Sequence, residues 1–292
     1  MRRWEMDLDA LSWRSLLAEA EQRGCARRDA QRIACAVADL AWVELVRELD
    51  SAVPELLQRS FRSRVARCVA GEPLQYVIGA WGFRTLELAV DRRALIPRPE
   101  TEVVADVAIG AAAAVARSGR APVVVDLGTG TGAIALAVAT EVPTAEVWAT
   151  DISAGAVALA SANVAGSGRD VASRVRVALG SWWSALPDAV RGGVDVVVSN
   201  PPYVELGAPL PAEVRDWEPS DALFAGPDGL DAFRAICAGV SDWLAAGASF
   251  VVEIGETQAE AVSELLRSAG LVDVHVGNDL AGRPRVVHGR RP

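Results

Sequence analysis

The spacing of hydrophobic positions changes character along the chain. Over residues 1–75 the apolar residues recur at helical intervals: Leu57, Phe61, Val65 and Cys68 follow an i, i+4, i+8, i+11 stripe, and Ile33, Val37, Leu40 and Ala41 form a similar one. Gly24 and Gly71 stand where helices would end, because glycine adopts the left-handed backbone that closes a helix at little steric cost. The pattern predicts a small N-terminal helical bundle, either a packing unit or a recognition domain for a macromolecular partner. Residues 76–98 read differently. Gly79 and Gly82 punctuate a stretch in which Leu86, Leu88 and Val90 alternate, which predicts a β-hairpin linking two domains. Ile96-Pro97-Arg98-Pro99-Glu100-Thr101 comes next as a rigid turn, since two prolines fix φ and push the residues before them into extended forms.

Over residues 99–292 strand-like and helix-like segments alternate. Strands are predicted at 122–126, 146–150, 174–178, 194–199, 248–254, 271–276 and 284–288, and the Ala-rich stretch 111–116 reads as helix. Helices filling most of the gaps imply an α/β, Rossmann-like domain: a mainly parallel seven-stranded sheet covered on both faces.

Composition narrows the class. Apolar residues make up 51% and charged residues 23%, as in a soluble globular protein. The longest weakly polar run, 103–116, contains Asp106 and is too short to cross a bilayer. An early arginine pair is followed by Glu5, Asp7 and Asp9 rather than by the apolar core of a signal peptide, so a cytoplasmic protein without membrane partners is expected. Cys25, Cys35, Cys68 and Cys237 form no C-x-x-C pair and show no metal-ligand spacing, so reduced thiols and no metal are expected. His275 and His288, the only histidines, lack partner motifs for a catalytic triad and read as strand residues. Residues 1–75 carry 12 arginines and 12 acidic residues, so the formal net charge of −9 lies entirely in the remainder. An acidic catalytic part is a poor match for a phosphate backbone, and direct, specific nucleic-acid binding is not expected.

Two segments carry candidate chemistry. Val123-Val124-Val125-Asp126-Leu127-Gly128-Thr129-Gly130-Thr131-Gly132 is a buried strand running into a glycine-rich turn, with a helix starting near Ala133. Such a turn lets the backbone approach a ligand at the carboxyl end of a central strand. Asp151 ends the next strand, where a carboxylate can accept both hydroxyls of a ribose. The pattern fits an adenosine-type ligand, and Gly128-x-Gly130-x-x-Ala133 fits a nicotinamide dehydrogenase as well. The second segment ends the apolar strand 194–199: Asn200-Pro201-Pro202-Tyr203. Paired prolines stiffen the turn and leave the Asn200 amide oxygen and the Pro201 carbonyl as fixed acceptors for one planar –NH₂ group, on which Tyr203 can stack. An amide or aromatic amine nitrogen is a weak nucleophile, and two acceptors that tighten as positive charge grows on it favour the transition state. Positioning against an already activated methyl donor supplies the rest.

With these segments in view, the sequence resembles the release factor glutamine methyltransferase family, within the class I methyltransferases. The resemblance runs over nearly the whole chain and includes Gly71-Glu72-Pro73-Leu74-Gln75-Tyr76, Leu95-Ile96-Pro97-Arg98-Pro99-Glu100-Thr101-Glu102, residues 126–132, residues 200–203 and Asp279-Leu280-x-Gly282-Arg283. It implies a class I methyltransferase domain that uses S-adenosylmethionine, releases S-adenosylhomocysteine, and methylates the side-chain amide nitrogen of the glutamine in the Gly-Gly-Gln motif of class 1 peptide chain release factors. Carried over by position, Gly128, Thr129, Gly130, Thr131 and Gly132 would cradle the methionine part, Asp151 would hold the ribose and Trp182 would pack near the adenine. Asn200, Pro201, Pro202 and Tyr203 would bind the glutamine amide, with Asn200, Pro201 and Tyr203 catalytic and Asn200 also facing the cofactor. Ser181-Trp182-Trp183 stands where relatives often carry Asp-Trp-Phe, which leaves open whether Trp182 or Trp183 meets the adenine. A ribosomal-protein glutamine methyltransferase, an adenine-amino methyltransferase and a non-catalytic adenosine-binding scaffold are the competing readings.

Overall fold

The computed structural model describes residues 11–292, so the start of the expected helical bundle lies outside the described residues. The chain falls into two compact units, one running up to Gly79 with Ala212–Trp217, the other comprising Ala80–Pro211 and Glu218–Pro292.

The first unit is helical: α1 (Trp13–Gln22), α2 (Arg27–Ala38), α3 (Trp42–Leu45), α4 (Glu55–Val69) and α5 (Leu74–Ile78). Ser12 caps α1, its hydroxyl accepting from the Ser15 N–H at 3.3 Å, which satisfies a donor the helix start would otherwise leave free. The core collects Trp13, Leu16, Ile33, Ala34, Leu45, Phe61 and Val65, with Trp13 edge-on to Phe61 at 6.0 Å. Of the α4 stripe, Phe61 and Val65 are buried while Leu57 and Cys68 pack around them. The second stripe is cut short. Asp39 turns left-handed (φ 55°) and ends α2, so Leu40 is half-buried and Ala41 is exposed ahead of α3. Residues 76–78, read from sequence as the start of the hairpin, lie in α5, between Pro73 and a left-handed Gly79 (φ 87°). The Arg67 guanidinium ties α5 to α4, donating to Glu72 at 2.6 Å and to the Tyr76 carbonyl at 3.0 Å.

The second unit opens with an antiparallel hairpin, β1 (Ala80–Phe83) and β2 (Leu86–Ala89). Next comes a seven-stranded sheet, built from β3 (Val123–Leu127), β4 (Glu146–Asp151), β5 (Val175–Leu179), β6 (Val194–Ser199), β7 (Leu244–Glu253), β8 (Val272–Asn278) and β9 (Pro284–Arg290). Its strand order is β5-β4-β3-β6-β7-β9-β8. Pairing is parallel from β5 through β7, and β9 runs antiparallel between β7 and β8. All seven expected strands are present. Most bounds move by one or two residues, and the largest change is at β7, which begins at Leu244 instead of residue 248; the β6–β7 register slips between Val194 and Val196, so Ala245-Ala246-Gly247 enters the strand at an irregularity, without the alternation that would reveal it. Around the sheet lie α6 (Thr101–Arg117), α7 (Ala133–Glu141), α8 (Ala154–Gly166), α9 (Arg169–Ala172), α11 (Asp231–Cys237), α12 (Val240–Trp243) and α13 (Ala259–Ser268), whereas α10 (Ala212–Arg215) belongs to the first unit.

The strands read as unbroken apolar runs because each serves two cores. Val124, Val196, Val198, Val251 and Val286 face one helical layer with α6 and α7. Val125, Leu127, Val197, Phe250, Val252 and Val287 face the other, against α11 and α13. Every residue of β6 is buried as a result. No helix among the described residues is long and apolar enough to cross a membrane. Strands added after β3 run outward on one side, and those from β6 on the other. The crevice at their adjoining carboxyl ends is therefore the topological switch point where open α/β sheets bind ligands. Phe250 is fully buried in the second core. Phe250→Ala is expected to destabilise the protein by about 3–5 kcal/mol, whereas Leu280→Ala, at a fully exposed site, should stay within about 0.5 kcal/mol; denaturant titration of both variants checks this.

Candidate active site

A cavity of about 520 Å³ opens at that switch point, within the range of small-ligand sites. Its floor is the loop after β3. Gly128, Gly130 and Gly132 all adopt positive φ (74°, 56° and 85°), a backbone closed to most other residues. The Gly128 and Thr129 N–H groups both donate to the Thr150 carbonyl, at 2.8 and 2.9 Å, and fasten the loop to the end of β4.

Gly128, Thr129, Gly130, Thr131, Asp151, Trp182, Asn200 and Pro202 line the cavity together. Three of the residues read from sequence do not. Gly132 instead caps the start of α7, where an added Cβ would stand 3.5 Å from the Ala160 Cβ. Pro201 is buried and Tyr203 half-buried, and neither is part of the lining. The two tryptophans separate cleanly. Trp182, held at φ 48°, lies over the loop with a ring carbon 3.7 Å from where a Gly128 Cβ would be. Trp183 is core: its indole N–H donates to the Ile236 carbonyl at 2.9 Å and its ring stacks on Trp243.

Three carboxyls belong to the site: Asp151, half-buried, lines the cavity, and Asp126 and Glu253 are buried and bonded to the lining residues Thr129 and Thr101. Asp151 is fixed by the Gly130 N–H on Oδ2 and the Ser153 N–H on Oδ1, both at 2.9 Å; burial raises its pKa, opposed by these donors. A carboxylate has about four acceptor positions, so lone pairs remain for two further hydroxyls. Asp126, next to last in β3, is fully buried, its Oδ2 accepting from the Thr129 hydroxyl at 2.6 Å and the Ala135 N–H at 3.2 Å. Its Oδ1 has no protein partner, and burial pushes its pKa up to about 7. Glu253 ends β7 and is likewise pushed up to about 7 by burial, with Thr101, Arg285 and Tyr203 pulling it down and Glu100 pushing it up.

Glu253, and the bonds that join it to Thr101, Asn200 and Tyr203, were not singled out in the sequence. The Thr101 hydroxyl donates to Glu253 Oε2 at 2.6 Å, and the Asn200 side-chain NH₂ donates to Thr101 Oγ1 at 3.1 Å. The Tyr203 hydroxyl lies 3.4 Å from Glu253 Oε1. Gln258 bridges the same turn, donating to the Tyr203 carbonyl at 3.0 Å and accepting from the Gly255 N–H. The rigid turn 96–101 is pinned at its other end by Glu218, which pairs with Arg98 and accepts from the Ile96 N–H. The available signal was an acidic residue closing the apolar strand Phe250-Val251-Val252, the same signal that marked Asp151.

Asp126 has a consequence for stability. A carboxyl whose folded pKa lies above its unfolded value favours folding below the unfolded pKa and loses that contribution as pH rises through the folded one. The loss for Asp126 falls between about pH 4 and pH 7. Asp126→Asn should therefore raise the melting temperature of the ligand-free protein more at pH 8 than at pH 5; calorimetry at the two pH values checks the difference.

Comparison with known proteins gives the family. Residues 112–210 match the Methyltransferase small domain family and residues 9–79 the PrmC N-terminal domain family. The release factor glutamine methyltransferase of Cereibacter sphaeroides is 39% identical over 269 residues, covering 91% of this chain and 92% of that protein. The protein of the same name from Xylella fastidiosa is 39% identical over 280 residues, covering 95% and 98%. Among solved structures, the hMettl16 catalytic domain in complex with the MAT2A 3'UTR hairpin 6 shares the fold, with a TM-score of 0.53 at 15% identity over 79% of this chain and 81% of that one. An antiparallel β9 inside the sheet also departs from the six-stranded dinucleotide-binding order, which counts against the dehydrogenase alternative. With both domain families matched in order and that identity sustained across nearly its full length, the chain belongs to the release factor glutamine methyltransferase family.

Proposed function

We propose that the protein transfers a methyl group from S-adenosylmethionine to the side-chain amide nitrogen of the glutamine in the Gly-Gly-Gln motif of class 1 peptide chain release factors. The observation that carries this reading is that the glycine bend after β3 and Asn200 after β6 open into one cavity. Bound there, the cofactor supplies a methyl already activated on a sulfonium. The bend formed by Gly128, Thr129, Gly130 and Thr131 would cradle its methionine part, Asp151 would accept from the ribose hydroxyls with its remaining lone pairs, and Trp182 would cover the adenine.

Asn200 Oδ1 and the Pro201 carbonyl accept from the two hydrogens of the glutamine amide and hold its nitrogen toward the methyl donor. Both contacts strengthen as positive charge develops on nitrogen, so they favour the transition state over the bound substrate. Tyr203, stiffened by Pro201 and Pro202, packs against the flat amide from outside the cavity lining. The N-terminal helical unit serves as the recognition domain for the release factor, and the protein works in the cytoplasm without direct, specific nucleic-acid binding, in keeping with its acidic catalytic part.

Incubation of the protein with labelled cofactor and a purified release factor should label that factor, with the methyl mapping by mass to the Gly-Gly-Gln glutamine. A factor with that glutamine substituted should stay unlabelled, and label persisting on it would contradict the site. Asn200→Ala should lower kcat by about 10²–10³-fold, on the scale of losing one oxyanion-type contact, while the cofactor Kd, read by calorimetry, changes only a few-fold.

A further inference from the structure

The chemistry proposed above needs Asn200 in one of two amide orientations, and the fold contains a device for choosing it. An Asn side chain is nearly symmetric in shape, and only hydrogen-bond polarity distinguishes its oxygen from its nitrogen. With the oxygen toward the cavity it accepts from a substrate –NH₂. Reversed, it would point N–H at N–H and repel the same group.

We infer that Glu253 and Thr101 are positioning residues that set the orientation of Asn200 through a chain of one-way hydrogen bonds. This inference rests on the proposed function and names what makes Asn200 competent for it. Ionised Glu253 can only accept, so the Thr101 hydroxyl spends its single hydrogen on Glu253 Oε2 at 2.6 Å. Thr101 Oγ1 can then only accept, and Asn200 must offer it the NH₂ group, at 3.1 Å. The amide oxygen of Asn200 is thereby left for the cavity it lines. The same carboxylate takes the Tyr203 hydroxyl at 3.4 Å on Oε1, so both side chains of the Asn-Pro-Pro-Tyr turn answer to one group. Thr101 and Glu253 are buried to 4% and 1% exposure, so water does not compete for the bond between them. Thr101 also borders the cavity, and both residues act through Asn200.

The chain loses its direction when Glu253 is protonated. A neutral carboxyl can donate to Thr101 Oγ1, and the freed Thr101 hydrogen can then go to Asn200 Oδ1, which reverses the amide. The charges facing Glu253 are Arg285 on β9, which favours the ionised form, and Glu100 beside Thr101, which opposes it; burial dominates both. Activity should therefore rise with pH across a region near 7, as Glu253 loses its proton.

The test uses the full-length protein and a release factor bearing Gly-Gly-Gln. Thr101→Val, which keeps shape and removes the hydroxyl, should lower kcat by about 10–100-fold, with KM for the factor and cofactor Kd within about threefold, and Thr101→Ser should recover most of the rate. Glu253→Gln keeps the side-chain shape without disturbing the start of α6; it should lose the rising limb of the kcat–pH profile and stay near the low-pH rate of the unsubstituted protein. Thr101→Val turning over at the normal rate, or Glu253→Gln keeping the rising limb, overturns the relay alone. Failure of the unsubstituted protein to label any glutamine overturns the substrate reading, and the relay with it.

Discussion

The structure depends on the parallel pairing of β3 with β6. Val124, Val125 and Asp126 lie opposite Val196, Val197 and Val198, and the Ser199 hydroxyl closes the ladder by donating to the Leu127 carbonyl at 2.6 Å. That register brings the carboxyl ends of the two strands level. The bend of left-handed glycines after β3 and the Asn200 turn with its two prolines after β6 must then open into the same space. A slip of one residue would turn every side chain of β6 to the opposite face, and the two helical cores that share this strand make such a slip costly.

The site concentrates carboxyls withdrawn from water. Asp126, Asp151 and Glu253 lie at the carboxyl ends of β3, β4 and β7, and burial raises the pKa of each. Carboxyls placed this way oppose folding in their ionised form, and they persist because each is clasped by short donors: Thr129 and Ala135, Gly130 and Ser153, Thr101. The result is a site whose polar atoms are oriented before any ligand arrives, so little reorganisation is left for the reaction itself. Perturbed carboxyls gathered around one cavity are a common mark of a functional site, and here the mark coincides with the switch point of the sheet.

The sheet was largely legible in the sequence because doubly buried parallel strands leave a coarse trace: Val123-Val124-Val125 and Val196-Val197-Val198 have few alternatives in a chain of this composition. Boundaries were less legible where local chemistry overrode the period. Asp39 ended a helix although the apolar stripe ran on past it, Pro73 and Gly79 enclosed a helix where a hairpin start was expected, and Ala245-Ala246-Gly247 joined β7 without any pattern. In the site, the glycine bend and the Asn-Pro-Pro turn announce themselves because few residues can adopt those backbones. Thr101 and Glu253 do not: they are distant in sequence and are joined only by tertiary packing. The roles of Trp182 and Trp183 were likewise decided by packing, since adjacent residues on one short turn face opposite sides.

Methyl transfer, on this view, turns on two acceptors, Asn200 Oδ1 and the Pro201 carbonyl, aimed at a flat nitrogen group beside the glycine bend. The most direct measurement is a crystal structure of the protein with S-adenosylhomocysteine and a Gly-Gly-Gln peptide. The glutamine amide nitrogen should lie about 3 Å from both oxygens, facing the sulfur across the cavity. A glutamine bound elsewhere, or Asn200 presenting its nitrogen to the peptide, would contradict the two-acceptor arrangement.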